Sequence, residues 1–493
     1  MSAVVKAVID LRKGHPKAGN LQHARIAAAC RHAGHRLDRA SEHDFRLQYT
    51  ASGRGAPLFH RRLAHFLSQE YGGPCFDDFL LTTNGVSHGL DLACSALSKP
   101  GDIVVMEEPS YFLANRIFLD HGLRVVSAPA DECGLDTAAL AARLTTGDLS
   151  LTPPKLLYLV PTHGNPSGAT LPDSRRAQLV RLAEEHGFYI MADEVYHLLD
   201  WSSTPRSPRL LCYDRAFHDR IAATATMAAA SATAASADGS DDDDPVYATV
   251  SATAEPGEPA AARTSGHVLS IGSFTKILAP GLRLGWIEAS PAIIEQITAR
   301  GYIVSGGGVA PFASEIVGEL CNADADGGPG GGAGGGAGGG AGGASDEGGA
   351  DGLAGGQRAV LRELRADYSA SCVVLCTALR EAGCFEFQQP TGGFFVWVRL
   401  PQGVSATSLL PIAEDGGVVF LPGPVCAPGS PHERYDRCIR LCFALLTPAE
   451  LIEGVRRLRS AVEAAVDEAA VGEAAVGEAA GAKRPRCGMH PPS

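Results

Sequence analysis

Short apolar runs alternate with amphipathic segments through the middle of the chain. Residues 86–97 and 173–186 repeat their apolar positions at helical spacing, whereas the short runs between them are typical of buried strands. This alternation predicts an α/β domain built on a mainly parallel sheet. The predicted strands are Phe79–Thr82, Ile103–Met106, Leu123–Val126, Leu156–Val160, Phe188–Ala192 and His267–Ile271.

A second, smaller α/β unit is predicted towards the carboxyl end. Ala359–Leu379 and Leu451–Val462 have helical spacing, and Gly393–Val398 and Arg440–Phe443 have the apolar character of strands. We expect residues 357–465 to form this small domain.

Two segments of biased composition interrupt the pattern. Residues 222–265 are rich in Ala, Ser, Thr and Asp, and residues 322–356 are dominated by Gly and Ala. Neither composition buries enough apolar surface to offset chain entropy, so both are expected to be disordered. The predicted organisation is an amino-terminal segment 1–45 that packs with the small domain, a large domain 46–300, a linker 301–356, the small domain 357–465 and a disordered tail 466–493.

Composition excludes several classes of protein. The chain has 493 residues and a formal net charge of −13, and it has no basic stretch long enough to indicate a nucleic-acid partner. It contains no apolar run that would cross a bilayer and no signal-peptide pattern, so we expect no membrane partner. The thirteen cysteines form no C-x-x-C pair and no cluster with histidine, which predicts reduced thiols in a cytoplasmic protein without a metal.

The most informative motif is Ser270–Lys276, which Arg283 follows closely. A lysine among small hydroxylated residues can condense with an aldehyde cofactor, while the hydroxyls and an arginine hold a phosphate. Because S-x-x-K patterns also mark unrelated serine enzymes, the motif gains its weight from the residues upstream of it.

Three upstream motifs each follow a predicted strand. Asp193 and Tyr196 follow one strand, although an Asp in this place is also a common helix N-cap. Asn165 lies in the loop 161–168, whose Asn-Pro-Ser-Gly is also ordinary turn chemistry. The segment 83–92 joins a strand to a helix, and the first N–H groups of such a helix can hold a phosphate dianion.

In this order the motifs resemble those of fold-type-I pyridoxal-phosphate enzymes, specifically the class I and II aminotransferases. The likeness spans about residues 8–465, apart from the two biased segments. The Leu-Gln-Tyr and Gly-Ser-Phe-Thr-Lys motifs are similar to those of the subgroup of 2-aminoadipate and aromatic aminotransferases. The resemblance implies a large domain with a mainly parallel seven-stranded sheet, a smaller α/β domain, and transfer of an amino group between an L-amino acid and a 2-oxo acid.

The resemblance also implies a role for each candidate residue. Lys276, Asp193 and Tyr196 are the expected catalytic residues: Lys276 moves the α-proton, and Asp193 keeps the ring nitrogen of pyridoxal 5'-phosphate protonated. The substrate carboxylate is expected to contact Gly14, Asn165 and Arg440. The implied cofactor contacts are Tyr49, Gly85, Val86, Ser87, Tyr111, Asn165, Asp193, Tyr196, Ser273, Lys276 and Arg283.

Partners and substrate are less closely defined. Tyr49 corresponds to a tyrosine that reaches the phosphate of the neighbouring subunit, which implies a homodimer. Glutamate, 2-aminoadipate and aromatic amino acids all fit as donors. Val86 and His88 depart from the small or amide side chains that are frequent in the subgroup.

Two alternatives fit parts of the same pattern. A carbon–sulfur or β-lyase, or a related synthase of the same fold, uses the same lysine, aspartate and arginine. A non-enzymatic regulator that binds pyridoxal phosphate would carry an amino-terminal winged helix, for which the residues before Gly14 leave no room.

Overall fold

The structure, a computed structural model, describes residues 7–38, 53–146, 153–215, 218–227, 266–309, 311–322, 353, 355–427 and 432–481, the last range with side chains as far as residue 467. The strands are β1 (Ile9–Asp10), β2 (Leu80–Thr83), β3 (Ile103–Glu108), β4 (Arg124–Asp131), β5 (Gly134–Leu135), β6 (Pro154–Leu159), β7 (Tyr189–Asp193), β8 (Val268–Ser273), β9 (Gly285–Glu288), β10 (Glu386–Phe387), β11 (Phe395–Arg399), β12 (Val418–Val419), β13 (Leu421–Pro422) and β14 (Cys438–Cys442).

Helices separate most of these strands. They are α1 (His23–Asp38), α2 (Pro57–Tyr71), α3 (Val86–Leu97), α4 (Phe112–Asp120), α5 (Thr137–Thr145), α6 (Asp173–His186), α7 (218–227), α8 (Pro291–Thr298), α9 (Gly301–Val304), α10 (Pro311–Asn322), α11 (Gly356–Ala382), α12 (Ala406–Asp415) and α13 (Pro448–Gly481). Among these residues, no helix is long and apolar enough to span a membrane.

The larger sheet has the strand order β2-β9-β8-β7-β6-β3-β4-β5. Strands β4, β3, β6, β7 and β8 are parallel to their neighbours in that series, whereas β9 runs antiparallel to β8 and to β2. The seven longer strands confirm the predicted mainly parallel sheet, and the two-residue β5 adds an antiparallel strand at one edge.

Alternate residues of the central strands enter two different apolar cores. Val104 and Met106 of β3 belong to one core, whereas Ile103 and Val105 belong to the other, and all of β3 is buried. A strand covered on both faces favours apolar residues on each face, which explains the apolar run Ile103–Met106, and β3 ends with two buried glutamates, Glu107 and Glu108.

The smaller sheet has the order β10-β11-β14-β13, with every pair antiparallel. The beginning of the chain lies beside it, because β1 pairs in parallel with β12, Ile9 opposite Val418 and Asp10 opposite Val419. The amino-terminal segment is also bonded to β14, because the Cys442 N–H donates to the carbonyl oxygen of Leu11.

Two boundaries differ from those expected. Residues 222–227 are helical, as part of α7, although disorder was expected from residue 222. Helix α13 continues to Gly481, although a disordered tail was expected from residue 466. The Ala- and Glu-rich repeats of this segment have high helix propensity, which accounts for the extension. Residues 228–265 and 323–352, predicted to be disordered, lie outside the described residues.

Candidate active site

A cavity of about 400 Å³ lies at the carboxyl edge of the larger sheet, where parallel strands present the loops that follow them. Its walls combine residues as distant in the sequence as Gly14 and Arg440. The predicted site residues that line it are Gly14, Val86, Ser87, Tyr111, Asn165, Asp193, Tyr196, Ser273, Lys276, Arg283 and Arg440. Gly85 lies behind this wall against Arg283, and Tyr49 lies outside the described residues.

Lys276 enters the cavity from the turn that follows β8. Its Nζ donates a hydrogen bond to the carbonyl oxygen of Gly14 at 2.7 Å and lies 5.3 Å from the centre of the Phe394 ring. Burial lowers the pKa of Lys276 to about 8, against opposing contributions from Cys442 and Asp193. A lysine with this pKa is partly neutral near neutral pH, so its amine can act as a nucleophile and as a base.

Asp193 closes the inner end of the cavity at the last residue of β7. Its Oδ2 accepts a hydrogen bond from the Tyr158 hydroxyl at 2.9 Å. Its Oδ1 is buried without a hydrogen bond of standard geometry, although the backbone of Val195 is near enough to lower the pKa. Burial dominates and raises the pKa of Asp193 to about 6. A buried carboxylate oxygen in this position is suited to a cationic N–H donor.

Arg440 lies on β14 and is 5% exposed. Its Nη1 donates to Asn165 Oδ1 at 2.8 Å, and its Nη2 donates to the carbonyl oxygen of Arg12 at 2.6 Å. The guanidinium carbon lies 4.1 Å from the centre of the Phe395 ring. These partners are neutral, so the charge of Arg440 is positioned but not paired with an acid among the described residues, as a carboxylate-binding group requires.

The beginning of α3 and the turn after β8 form a cradle of donors. Gly85 caps α3 with a φ of 82° and supplies no side-chain acceptor to the first turn of the helix. Arg283 lies against it, donating from Nη2 to the carbonyl oxygen of Asn84 at 2.9 Å. The Ser273 hydroxyl donates to Thr275 Oγ1 at 2.8 Å. Free helix N–H groups, hydroxyls and a guanidinium in one place suit a phosphate group.

Two further predicted site residues, Tyr196 and Gly14, pack against aromatic rings. The ring of Tyr196 is 3% exposed and packs against the rings of Phe394 and Phe395, with centroids 5.4 and 6.0 Å away. Gly14 passes close to the same aromatic group, since a Cβ there would lie 2.6 Å from Phe395 Cζ. The close approach of backbone to ring explains the need for glycine at this position.

Several residues of the site had no role predicted from the sequence, Thr275 and Tyr158 among them. Thr275 lines the cavity, and its signal was the hydroxyl next to the lysine in the same motif. Tyr158 was interpreted as part of an apolar strand, although a fully buried tyrosine hydroxyl needs a hydrogen-bond partner, here Asp193. His88, which departs from the family pattern, turns its ring back to accept a hydrogen bond from the Asn84 N–H at 3.0 Å.

Other features of the described residues lie apart from this site. A cleft of about 600 Å³ between the β4–β5 turn and the smaller sheet is lined by Asp131, Trp397 and Arg434 and contains none of the predicted site residues. No group of three or more His, Cys, Asp or Glu side chains in the described part of the chain is arranged to hold a metal ion.

Known proteins share this sequence pattern. The family model of aminotransferase class I and II matches residues 6–319, which is more than half of the chain. Aromatic-amino-acid aminotransferase 1 of Thermococcus litoralis is 25% identical over 417 residues, covering 85% of this chain and 80% of that protein. The 2-aminoadipate transaminase of Thermus thermophilus is 26% identical over 422 residues, covering 85% and 82%.

Solved structures share the fold. The multiple substrate aminotransferase of Thermococcus profundus superposes with a TM-score of 0.68 at 23% identity, covering 94% of this chain and 93% of that chain. LysN, the α-aminoadipate aminotransferase of Thermus thermophilus, complexed with N-(5'-phosphopyridoxyl)-L-leucine, superposes with a TM-score of 0.66 at 23% identity and covers 94% of each chain. The chain therefore belongs to the class I and II aminotransferases and is an enzyme that moves an amino group between an amino acid and a 2-oxo acid.

Proposed function

We propose that this aminotransferase holds pyridoxal 5'-phosphate in the cavity and favours amino donors with apolar, especially aromatic, side chains. The observation that carries the proposal is the convergence of a lysine amine, an unpartnered carboxylate oxygen and an arginine without an acidic partner on one cavity. Each group has the charge that one part of the cofactor or of an amino acid needs.

The cavity residues fit the cofactor in three places. Asp193 Oδ1 is the acceptor for a protonated ring nitrogen. Asn165 and Tyr196 are the donors for the phenolic oxygen, because the Asn165 amide uses its oxygen on Arg440 and keeps its nitrogen for another acceptor. The cradle of Gly85, Ser273 and Arg283 suits the phosphate.

The chemistry divides between the cofactor and the protein. When bound, pyridoxal phosphate supplies an aldehyde that bonds to amines and a ring that accepts electrons from the substrate α-carbon. Lys276 accepts the proton of the substrate α-carbon and later donates it back. Its lowered pKa of about 8 suits an amine that must both accept and donate a proton. Arg440 grips the substrate carboxylate through two N–H groups and thereby fixes which bond at the α-carbon is broken.

The walls around the substrate side chain support an apolar donor. Phe112, Leu113 and Leu421 line the cavity. Arg12 and Lys13 line it too, but both pair with Asp10, at 3.1 and 3.4 Å. Because this carboxylate offsets one of their two positive charges, a second carboxylate on the donor gains less there than it would from two unpaired cations.

An absorption experiment tests the proposal. The purified protein is reconstituted with pyridoxal phosphate and mixed with phenylalanine, tyrosine, glutamate, 2-aminoadipate and alanine in separate titrations. We expect the visible band of the lysine-bound cofactor to convert to the near-ultraviolet band of pyridoxamine phosphate, at lowest concentration with the aromatic donors. Absence of a cofactor band after reconstitution would refute the proposal. A persistent visible band with pyruvate released from a β-substituted donor would instead identify a lyase.

Two further proposals concern assembly and place. We propose a homodimer, which the resemblance implies through Tyr49. The residues around position 49 lie outside the described part of the chain. We also propose a cytoplasmic location, which the reduced state of the cysteines would suit.

A further inference from the structure

His163 is held firmly in the loop that carries Asn165. It is 2% exposed, its Nε2 lies 2.8 Å from Asp200 Oδ2, and its backbone N–H donates to Thr170 Oγ1 at 3.2 Å. Its φ of 50° lies in the left-handed region, which residues with a Cβ adopt rarely and at a cost. The surrounding contacts therefore determine the conformation of the backbone here.

The imidazole of His163 fills a space that two glycines leave. A Cβ on Gly392 would lie 2.0 Å from His163 Nε2, and a Cβ on Gly393 would lie 3.0 Å from His163 Cβ. Gly393 also donates its N–H to the carbonyl oxygen of Leu199 at 3.0 Å. The ring thus bridges the loop after β6 and the segment that leads into β11.

The Asp200 side of this bridge is charged. Burial opposes ionisation of Asp200, but the hydrogen bonds from His163 and from Ser202 outweigh it and lower the pKa of the carboxyl to about 2. The Ser202 hydroxyl donates to Asp200 Oδ1 at 2.7 Å. Both carboxylate oxygens are therefore occupied, and Asp200 is fixed as an acceptor for the imidazole.

Both segments joined by His163 end at Arg440. Two residues after His163, Asn165 Oδ1 accepts a hydrogen bond from Arg440 Nη1 at 2.8 Å. Two residues after Gly393, the Phe395 ring lies 4.1 Å from the guanidinium carbon of Arg440. A displacement of His163 would move both supports of the guanidinium.

We propose that His163, bonded to Asp200 and seated on Gly392, is a positioning residue that keeps Asn165 and Phe395 aligned with Arg440 for binding of the substrate carboxylate. This inference rests on the proposed function, because it takes Arg440 as the group that binds this carboxylate.

Kinetics with three variants test the proposal. His163→Leu removes the bond to Asp200, His163→Gln keeps an N–H donor, and His121→Leu breaks a second His–Asp pair, at 2.8 Å from Asp91, away from the cavity. For His163→Leu we expect the KM of the amino donor to rise about tenfold while kcat changes less than about twofold, because binding of the carboxylate is weakened in ground state and transition state alike. His163→Gln should recover most of the affinity, and His121→Leu should match the wild type.

Hydrogen exchange supplies a readout that does not depend on activity. It is measured by mass spectrometry on the full-length protein without added cofactor, over peptides that contain Gly164, Gly168 and Gly393. The N–H groups of these residues are hydrogen-bonded to Ala169, Gly164 and Leu199. We expect them to exchange about tenfold faster in His163→Leu and at the wild-type rate in His121→Leu.

The outcomes separate the two proposals. If the wild-type protein shows no transamination, the proposed function is refuted. The role of His163 in carboxylate binding is then refuted too, because it rests on that function. An active wild type with unchanged KM and unchanged exchange in His163→Leu would overturn the positioning role alone. The positioning role would also be overturned if His163→Leu has a lower melting temperature or binds less cofactor while the KM of its cofactor-bound fraction is unchanged. That pattern indicates a purely structural contact.

Discussion

Two ionisable side chains of the cavity, Lys276 and Asp193, are buried without an oppositely charged partner in direct contact among the described residues. Lys276 and Asp193 are ionisable groups that burial shifts towards their neutral forms, since the pKa of the lysine falls and that of the aspartate rises. A site that is to transfer protons needs groups whose pKa values lie near the working pH. Burial of an ionised group also lowers the free energy of unfolding. The role of such a group can therefore be tested by stability measurements without a substrate.

Lys276→Ala tests the lysine. We expect kcat to fall by about 10⁴-fold or more, while the melting temperature stays within a few degrees. Lys13, which also lines the cavity, does not replace the lost amine because it is paired with Asp10. In the wild type, the rate of the donor half-reaction should rise with pH and level off above about 8, since the amine of Lys276 must be neutral to accept a proton. Rapid mixing with absorbance detection measures the rate of the half-reaction in the variant and its pH dependence in the wild type. Near-normal turnover in Lys276→Ala would contradict the assignment of the lysine.

Asp193→Asn tests the aspartate in the protein without cofactor. The unfolded carboxyl ionises near its ordinary pKa of 3.8, whereas the folded one ionises near 6, so ionisation destabilises the fold as pH rises between these values. Above this range the shift corresponds to about 3 kcal/mol at most. We therefore expect the variant to raise the free energy of unfolding by about 1–3 kcal/mol near neutral pH and to gain nothing below about pH 4.

Denaturant titrations across this pH range measure the effect on Asp193. In the cofactor-loaded protein the same substitution should lower cofactor affinity by about a hundredfold, because the charge at the ring nitrogen loses its partner. A variant that is less stable than the wild type near neutral pH, or that binds the cofactor equally well, would contradict the role of Asp193.

At the scale of elements, the beginning of α3 meets the turn between β8 and β9. Gly85 caps the helix with a φ of 82°, and Arg283, with a φ of 48°, lies across it. The antiparallel β9 returns next to β8 and β2, which places the turn beside the helix. The cradle therefore depends on strand order as well as on the residues in the two motifs.

Gly85→Ala tests the cradle. A Cβ at this position would lie 2.9 Å from Arg283 Nη2, so the guanidinium must leave its bond to the Asn84 carbonyl oxygen. We expect affinity for pyridoxal phosphate to fall about tenfold or more, as measured by fluorescence or absorbance titration.

Gly187→Ala is the matched control for this substitution. Gly187 also has a positive φ, of 72°, but a Cβ there would meet no atom within 4 Å. The control should cost about 1 kcal/mol of stability without changing cofactor affinity. Equal cofactor affinities in the two variants would show that backbone strain, and not displacement of Arg283, determines the result.

At the scale of the whole molecule, the segment after β1 and strand β14 of the smaller sheet meet at the cavity. The segment after β1 supplies Gly14 to Lys276 and the carbonyl oxygen of Arg12 to Arg440, and β1 itself pairs with β12. Asp10, the last residue of β1, lies beside Arg12 and offsets part of the positive charge at this wall of the cavity.

Asp10→Asn tests this charge. Without the carboxylate, nothing would offset the two positive charges of Arg12 and Lys13, so we expect kcat/KM for glutamate relative to phenylalanine to rise about fivefold at low salt. Asp131→Asn is the control, since it breaks a similar pair with Arg175 outside the cavity. An unchanged ratio in Asp10→Asn, or an equal change in the control, would contradict the role of Asp10.

Local pattern and motif order were enough to predict the fold class and to select residues that line one cavity. Buried parallel strands need uninterrupted apolar runs, and the residues that follow them meet at one edge, so Asn165, Asp193 and Lys276 were expected to lie together, with roles that the resemblance implies. Their placement around one cavity agrees with that expectation. Helix α13 extends past the expected boundary at residue 465, because the Ala- and Glu-rich repeats that follow have high helix propensity.

The pairing of distant groups could be learned from the folded chain alone. The contacts of Tyr158 with Asp193, of Arg440 with Asn165 and of His163 with Asp200 join residues between 35 and 275 positions apart. Such pairs depend on strand register, side-chain direction and burial, none of which leaves a periodic signal in the sequence. For the same reason, the pKa values of Lys276 and Asp193 follow from the folded environment and not from the motifs.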